Sequence, residues 1–155
     1  MEIKDELLII TQIFIAFLLG AIIGLEREKQ GNAAGIRTYA AVTLGAALFT
    51  LIGIYSADVT AAGRIIANIV TGIGFLGAGI IYQNNAKGLI QGLTTASSVW
   101  AAAAVGVAVA YNMYFIAVAA TTAIYFLLPL HHFKWYIKLK TRWIKKQNQL
   151  HKEND

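Results

Sequence analysis

Five stretches of almost unbroken apolar character divide the chain: Leu7–Leu25, Thr38–Tyr55, Arg64–Tyr82, Leu93–Ala110 and Met113–Leu130. Each approaches the roughly 20 apolar residues that cross a bilayer as a helix. Backbone polar groups in lipid must bond within their own segment, and the ten-residue alternation of a barrel strand is absent. The pattern predicts an all-α integral membrane protein, a bundle of five transmembrane helices. Only Tyr111 and Asn112 separate the last two stretches, so that turn is expected to begin near Gly106. The residues MEIKDE ahead of the first stretch are net acidic and no small-residue cleavage site ends it, so it reads as a span and not as a cleaved signal peptide.

Composition sharpens this picture. Of the 155 residues, 57% are hydrophobic and 14% charged, against about 25% charged in a soluble domain. Between Leu7 and Leu130 the charges are Glu26, Arg27, Glu28, Lys29, Arg37, Asp58, Arg64 and Lys87. A water-soluble globule and a disordered chain are excluded. With no cysteine, so are a disulfide scaffold and a thiolate metal site. One transmembrane domain is expected over residues 1–130, followed by a basic juxtamembrane tail over 131–155.

Lysine and arginine set the expected orientation. With the N-terminus outside and the C-terminus in the cytoplasm, 11 of the 13 Lys and Arg residues lie inside, and Lys4 and Arg64 outside. The net charge of +5 is then mostly tail and calls for no nucleic-acid partner.

The helical faces carry the rest. In the first span Gln12, Ala16, Gly20 and Gly24 recur every four residues, a close-approach stripe. It serves either packing within the subunit or a homodimer seam, and a homodimer with this span as the first candidate is expected. In the third span, Arg64, Asn68, Thr71, Gly72, Phe75 and Gly79 share one arc. Ile65, Ile66, Ile69, Val70, Ile73, Leu76 and Ile80 share the other. The Ile-rich face is expected to meet lipid, and the small polar face protein or a wet cavity. Arg64 can snorkel, whereas Asn68 and Thr71 are too deep and need partners. The fourth span offers Thr94, Thr95, Ser97 and Ser98, near its opposite end. Its Ala-rich remainder predicts a helix surrounded by other helices.

Residues 72–77 spell GxGxxG, but no strand precedes them and no acidic residue follows about 20 positions on, so a dinucleotide site is rejected. Gly72, Gly74, Gly77 and Gly79 are read as close packing or a local helix break.

The polar cluster from Glu26 to Thr38 is either a solvated loop or an ion-pair network of Glu26, Arg27, Glu28 and Arg37. Two glutamates permit a weak Mg2+ site without showing one; no metal and no cofactor are expected. In the tail, a helix would put Phe133, Tyr136, Ile137, Trp143 and Ile144 on one side. Lys134, Lys138, Arg142 and Lys145 fall on the other, with Lys140 the exception. That is an interfacial helix, apolar toward acyl chains and basic toward lipid headgroups. His131, His132 and His151 do not form a ligand set, since adjacent helical residues diverge by about 100°.

Four blocks taken together resemble the MgtC/SapB family of bacterial inner-membrane proteins. They are Leu19-Gly-Ala-Ile-Ile-Gly-Leu-Glu-Arg-Glu28, Ala34-Gly-Ile-Arg-Thr38, the run from Arg64 to Ile80, and the run from Gly92 to Gly106. They occur in family order and cover most of residues 7–110. The resemblance implies five membrane helices with a cytoplasmic C-terminus. It also implies a role in growth at low magnesium, acid adaptation or survival in a host. The family's best-studied kind is a regulator that binds membrane proteins, the ATP synthase among them, without itself transporting Mg2+. The chain reads as a short form without the soluble C-terminal domain of longer members. The motif positions carried over are Glu26, Arg27, Arg37, Thr38, Arg64, Asn68, Thr71, Thr94 and Thr95, with no known chemistry for each. A membrane regulator is the favoured function and a small oligomeric transporter or channel the alternative. An enzyme is disfavoured, because no nucleophile, base and orienting group converge.

Overall fold

A computed structural model of the chain describes residues 3–56, 58, 60–84, 89–130 and 133–142, with Gln83, Asn84 and Leu89 given by backbone alone. Five apolar helices form the bundle: α1 (Ile3–Lys29), α2 (Ile36–Ile54), α3 (Ala61–Ile80), α4 (Leu93–Ala110) and α5 (Tyr114–Leu127). The first four have 18 residues or more, and α5 has 14. The turn after it reaches the Arg27 end of the bundle: Leu128, buried, lines the same pocket as Arg27 of α1 and Thr95 of α4. A basic helix, α6 (residues 134–142), follows and carries Lys134, Lys138 and Arg142, all exposed. Lys145, Trp143, Ile144 and the three histidines lie outside the described residues.

Two boundaries move for physical reasons. Helix α1 extends through Glu26–Lys29, since its acidic first turn (Asp5, Glu6) and basic last turn (Arg27, Lys29) both complement the helix dipole. The polar stretch after it is therefore helix up to Lys29 and helix again from Ile36. The second boundary lies between α4 and α5. Gly106 is mid-helix, and the turn is made by Asn112 in the left-handed region (φ 59°). The Asn112 amide donates to the Val109 carbonyl (3.0 Å) and the Met113 amide to Ala108 (2.9 Å). This is a Schellman arrangement that satisfies the last carbonyls of α4. Between α3 and α4, Tyr82–Asn84 and Leu89–Gln91 pair as a short antiparallel hairpin, β1 and β2, with Tyr82 opposite Gln91. The apolar pattern had placed Tyr82 at the end of a span.

Helix α4 occupies the centre, as its run of small residues implied, and touches α1, α2, α3 and α5. Helices α1, α2 and α4 meet around Thr43, where a Cβ on Gly20 would collide with the Thr43 hydroxyl and one on Gly106 with the Thr43 carbonyl. At Gly24 an added Cβ would stand 2.5 Å from the Ile36 Cα. The Ala16–Gly20–Gly24 stripe therefore packs α1 on its neighbours within one subunit, with Ala16 fully buried, and it is not free to form a homodimer seam. Two buried hydroxyls of α2 are satisfied inside the helix: Thr43 donates to the Tyr39 carbonyl (3.0 Å) and Thr50 to Ala46 (2.7 Å).

Helix α3 lies at the edge of this core, and its orientation differs from the expected one. Of the Ile-rich arc, Ile65, Ile66, Ile69, Ile73 and Ile80 are half-buried against the bundle while Val70 and Leu76 are exposed as expected; Arg64, Asn68, Thr71, Gly72, Phe75 and Gly79 of the other arc are exposed too. Phe75 is 85% exposed. The two faces are segregated as the sequence predicts. However, β-branched side chains interlock with neighbours as readily as they meet lipid, so the Ile-rich face docks on α2 and α4. The helix is continuous through its glycines to Ile80, and no break occurs. Gly77 alone of the four sequence-selected glycines packs inside, where an added Cβ would stand 3.6 Å from the Ala96 Cβ.

Candidate functional site

Two polar clamps hold α1 to α4 at opposite ends of the apolar slab. Gln12, 1% exposed, donates from Nε2 to the carbonyls of Val109 (3.3 Å) and Ala110 (3.1 Å) and to Asn112 Oδ1 (3.1 Å). It thereby caps the C-terminus of α4 from a neighbouring helix, in place of water. At the other end Arg27 is 4% exposed. Its Nη2 donates to Asn32 Oδ1 and Thr95 Oγ1, both at 2.7 Å, and its Nη1 to Gln30 Oε1 (3.3 Å). Fifteen residues of helix, about 22 Å, separate the clamps along α1. A third buried contact joins α2 to α4 near the Arg27 end, Tyr39 Oη to Ser98 Oγ at 2.6 Å.

Of the two readings of the polar cluster, the ion-pair network among Glu26, Arg27, Glu28 and Arg37 does not form. Arg27 points inward. Glu26 accepts from Gln30 Nε2 (2.9 Å), and Glu28 accepts from the Ile36 amide (3.1 Å), capping the start of α2. Gly35 lets the Glu28 carboxylate come in: a Cβ there would stand 2.5 Å from Glu28 Oε2. Arg37 is exposed at the α2 N-terminus, with Thr38 half-buried beside it. Adjacent residues on a helix cannot share a face, so Glu26, Arg27 and Glu28 take three separate tasks.

Around Arg27 lies an open polar pocket of about 590 Å³ whose walls include Gln30, Asn32, Gln91, Gly92, Thr94 and Thr95. Gly92 N-caps α4 in the left-handed region (φ 86°), with no side-chain cap. The first intrahelical bond there runs from the Ala96 amide to Gly92 (2.8 Å).

On α3, Asn68 and Thr71 do not reach Thr94, Thr95, Ser97 or Ser98. Thr71 donates to its own Ala67 carbonyl (3.0 Å), Thr95 serves Arg27 and Ser98 serves Tyr39. The Asn68 side chain makes no hydrogen bond among the described residues. It borders an apolar groove of about 450 Å³ between α2 and α3, walled by Val42, Gly45, Phe49, Ile69 and Gly72. A Cβ added at Gly45, Gly63, Gly72, Gly74 or Gly79 would meet nothing within 4 Å. Arg64, at the α3 N-terminus, pairs with Asp58, and Asp58 also accepts from the Thr60 hydroxyl and amide. Those bonds, the Thr60 hydroxyl first, hold the Asp58 carboxyl below its ordinary value. Among the described residues no three metal-ligating side chains gather.

Sequence reading passed over the tasks of Gln12, Tyr39 and Asn112. Gln12 was visible as a polar residue in an apolar span, which in lipid signals an interhelical partner. Tyr39 and Asn112 left no such mark.

A bundle of apolar helices clamped by buried polar side chains at both ends defines a multi-pass integral membrane protein. The chain belongs to the MgtC family, which it matches over residues 13–134. It is 43% identical to the protein MgtC of Salmonella typhimurium over 115 residues, 74% of this chain and 48% of that protein. It is 38% identical to the putative magnesium transporter YhiD of Escherichia coli over 132 residues, 80% of this chain and 60% of that one. To the protein SrpB of Synechococcus elongatus it is 34% identical over 135 residues, 79% and 73% of the two chains. The chain thus spans about half the length of MgtC. No solved structure matches it.

Proposed function

We propose that this chain is a regulator of the bacterial cytoplasmic membrane that acts by docking transmembrane helices, and that the outer face of α3 is where they dock. The observation that carries this reading is the unmatched polarity of that face. Asn68 faces outward midway along an apolar helix without a hydrogen-bond partner among the described residues, beside glycines that no residue of the subunit fills. In lipid an unbonded amide is costly, and small residues let a second backbone come close enough to bond it. The groove between α2 and α3 gives the incoming helix a bed.

A carboxamide both donates and accepts, so two Asn68 side chains satisfy each other across a two-fold axis. A homodimer through α3 is therefore the resting state, and a partner membrane protein replaces one copy. The orientation is N-terminus outside and C-terminus in the cytoplasm, supported by Arg27, Lys29, Arg37 and the α6 cations at one end of the bundle. The basic face of α6 then lies on anionic headgroups. The regulated process belongs to adaptation to low magnesium, acid or host stress, and the ATP synthase is a partner by family resemblance.

The transporter reading draws support from the name of the Escherichia coli relative. The core between the two clamps is closed by Ala16, Ile23, Tyr39, Val99 and Ala102, so a path for solute would run along α3 in an oligomer. The test is Asn68→Leu in a low-magnesium growth assay, with ion flux measured on the purified protein in proteoliposomes. Loss of growth support with normal membrane insertion and no flux by the wild type supports docking. Full activity of Asn68→Leu contradicts it, and flux by the pure wild type moves the function to transport.

A further inference from the structure

We infer that the Arg27 pocket is a phosphate-binding site at the membrane surface, formed jointly by the end of α1 and the N-terminus of α4. A guanidinium stays charged at any pH a cell meets, and burying such a charge without an anion is strongly unfavourable. Arg27 is 4% exposed. Its three hydrogen-bond partners are the neutral side chains of Gln30, Asn32 and Thr95. No carboxylate lies within ion-pair distance of it among the described residues. Glu26 is one step removed, bonded to Gln30, and Glu28 is committed to the Ile36 amide. The Arg27 Nε, fully buried, has no acceptor.

The second half of the site is the start of α4. Leu93, Thr94 and Thr95 precede the first amide bonded within the helix, their side chains give no cap, and all three line the pocket. Free amides and the helix dipole there favour an anion. Arg27 adds its fixed positive charge and the Nη1–H that Gln30 leaves free, a charge-assisted donor to one oxygen of a tetrahedral anion. The pocket is large enough for a phosphate and open at the end of the bundle where Arg37 and α6 also lie. The anion is thus either the phosphate of an anionic lipid or free inorganic phosphate, and it joins the α1–α2 turn to α4.

The test uses the whole chain in mild detergent, titrated with inorganic phosphate against chloride at equal ionic strength, with thermal unfolding as readout. Native mass measurement after extraction from membranes then compares retention of phosphatidylglycerol with that of phosphatidylcholine. For free phosphate, the wild-type midpoint rises with phosphate, and Arg27→Gln binds it roughly tenfold more weakly or worse. For a lipid phosphate, one phosphatidylglycerol is retained by the wild type, lost in Arg27→Gln and displaced by phosphate. Thr94→Asp guards against misfolding: an exposed acid in the first turn of α4 stabilises the helix and supplies the missing negative charge. That variant should fold at least as well as the wild type and lose the response to both probes. A wild type indifferent to both, or a Thr94→Asp variant that responds like the wild type, overturns the site.

Discussion

A methyl group added at Gly106 would press into the Thr43 carbonyl, whereas one added at Gly79 meets open space. The two glycines look alike in sequence, each flanked by small and branched aliphatic residues. Gly106→Ala should therefore destabilise the purified subunit by about 1–3 kcal/mol through overpacking. Gly79→Ala should leave monomer unfolding unchanged. Thermal unfolding in detergent checks both, and equal effects would mean that the α2–α4 approach is looser than described. Gln12→Leu removes both N–H donors that serve the α4 C-terminus, leaving the Ala110 carbonyl without its Gln12 donor, a loss of roughly 1–3 kcal/mol. At this scale the sequence is legible where a residue type contradicts its surroundings, as Gln12 does. Spacing alone cannot say which glycine has a neighbour, because that depends on the other helix.

For the helices, the apolar pattern locates all five and divides α3 into its two faces. It cannot say which face turns inward. In water an apolar face must be buried, but lipid tails are as apolar as a protein core, so hydropathy no longer separates inside from outside. The hairpin of β1 and β2 escapes for a different reason: three-residue strands are too short for a period to register. The start of α3 gives a pH-dependent prediction. Bonds from Thr60, and then from Arg64, depress the Asp58 pKa, so this contribution is present in full above the ordinary value of 3.8 and is lost as pH falls through the depressed one. Hydrogen-exchange protection of the Arg64 amide should hold at pH 5 and above and fall in stronger acid. Asp58→Asn should lower it already at pH 7, and unchanged protection in that variant would show that the helix start does not depend on the carboxylate. The same loop reports topology. A cysteine replacing Asp58 should react with an impermeant reagent from outside the cell and one replacing Lys87 should not; the reverse pattern would invert the bundle.

In the whole molecule, the two ends of the bundle are chemically unlike. Gln12 closes one end with neutral hydrogen bonds among protein groups, and Arg27 leaves the other with a buried charge and an open pocket. Between them α1, α2, α4 and α5 form a tight core, and α3 leans on it with its polar face outward. That arrangement makes sense for a subunit completed by another helix in the membrane, and this is the claim most open to direct measurement. The chain has no cysteine, so single cysteines can be placed without background. Thr71→Cys and Phe75→Cys lie on the outer face of α3, and Phe115→Cys lies on α5, where Phe115 is 94% exposed. Oxidative cross-linking in native membranes should give dimers from both α3 positions and none from Phe115→Cys. Cross-linking through α5 with none through α3 would contradict the account.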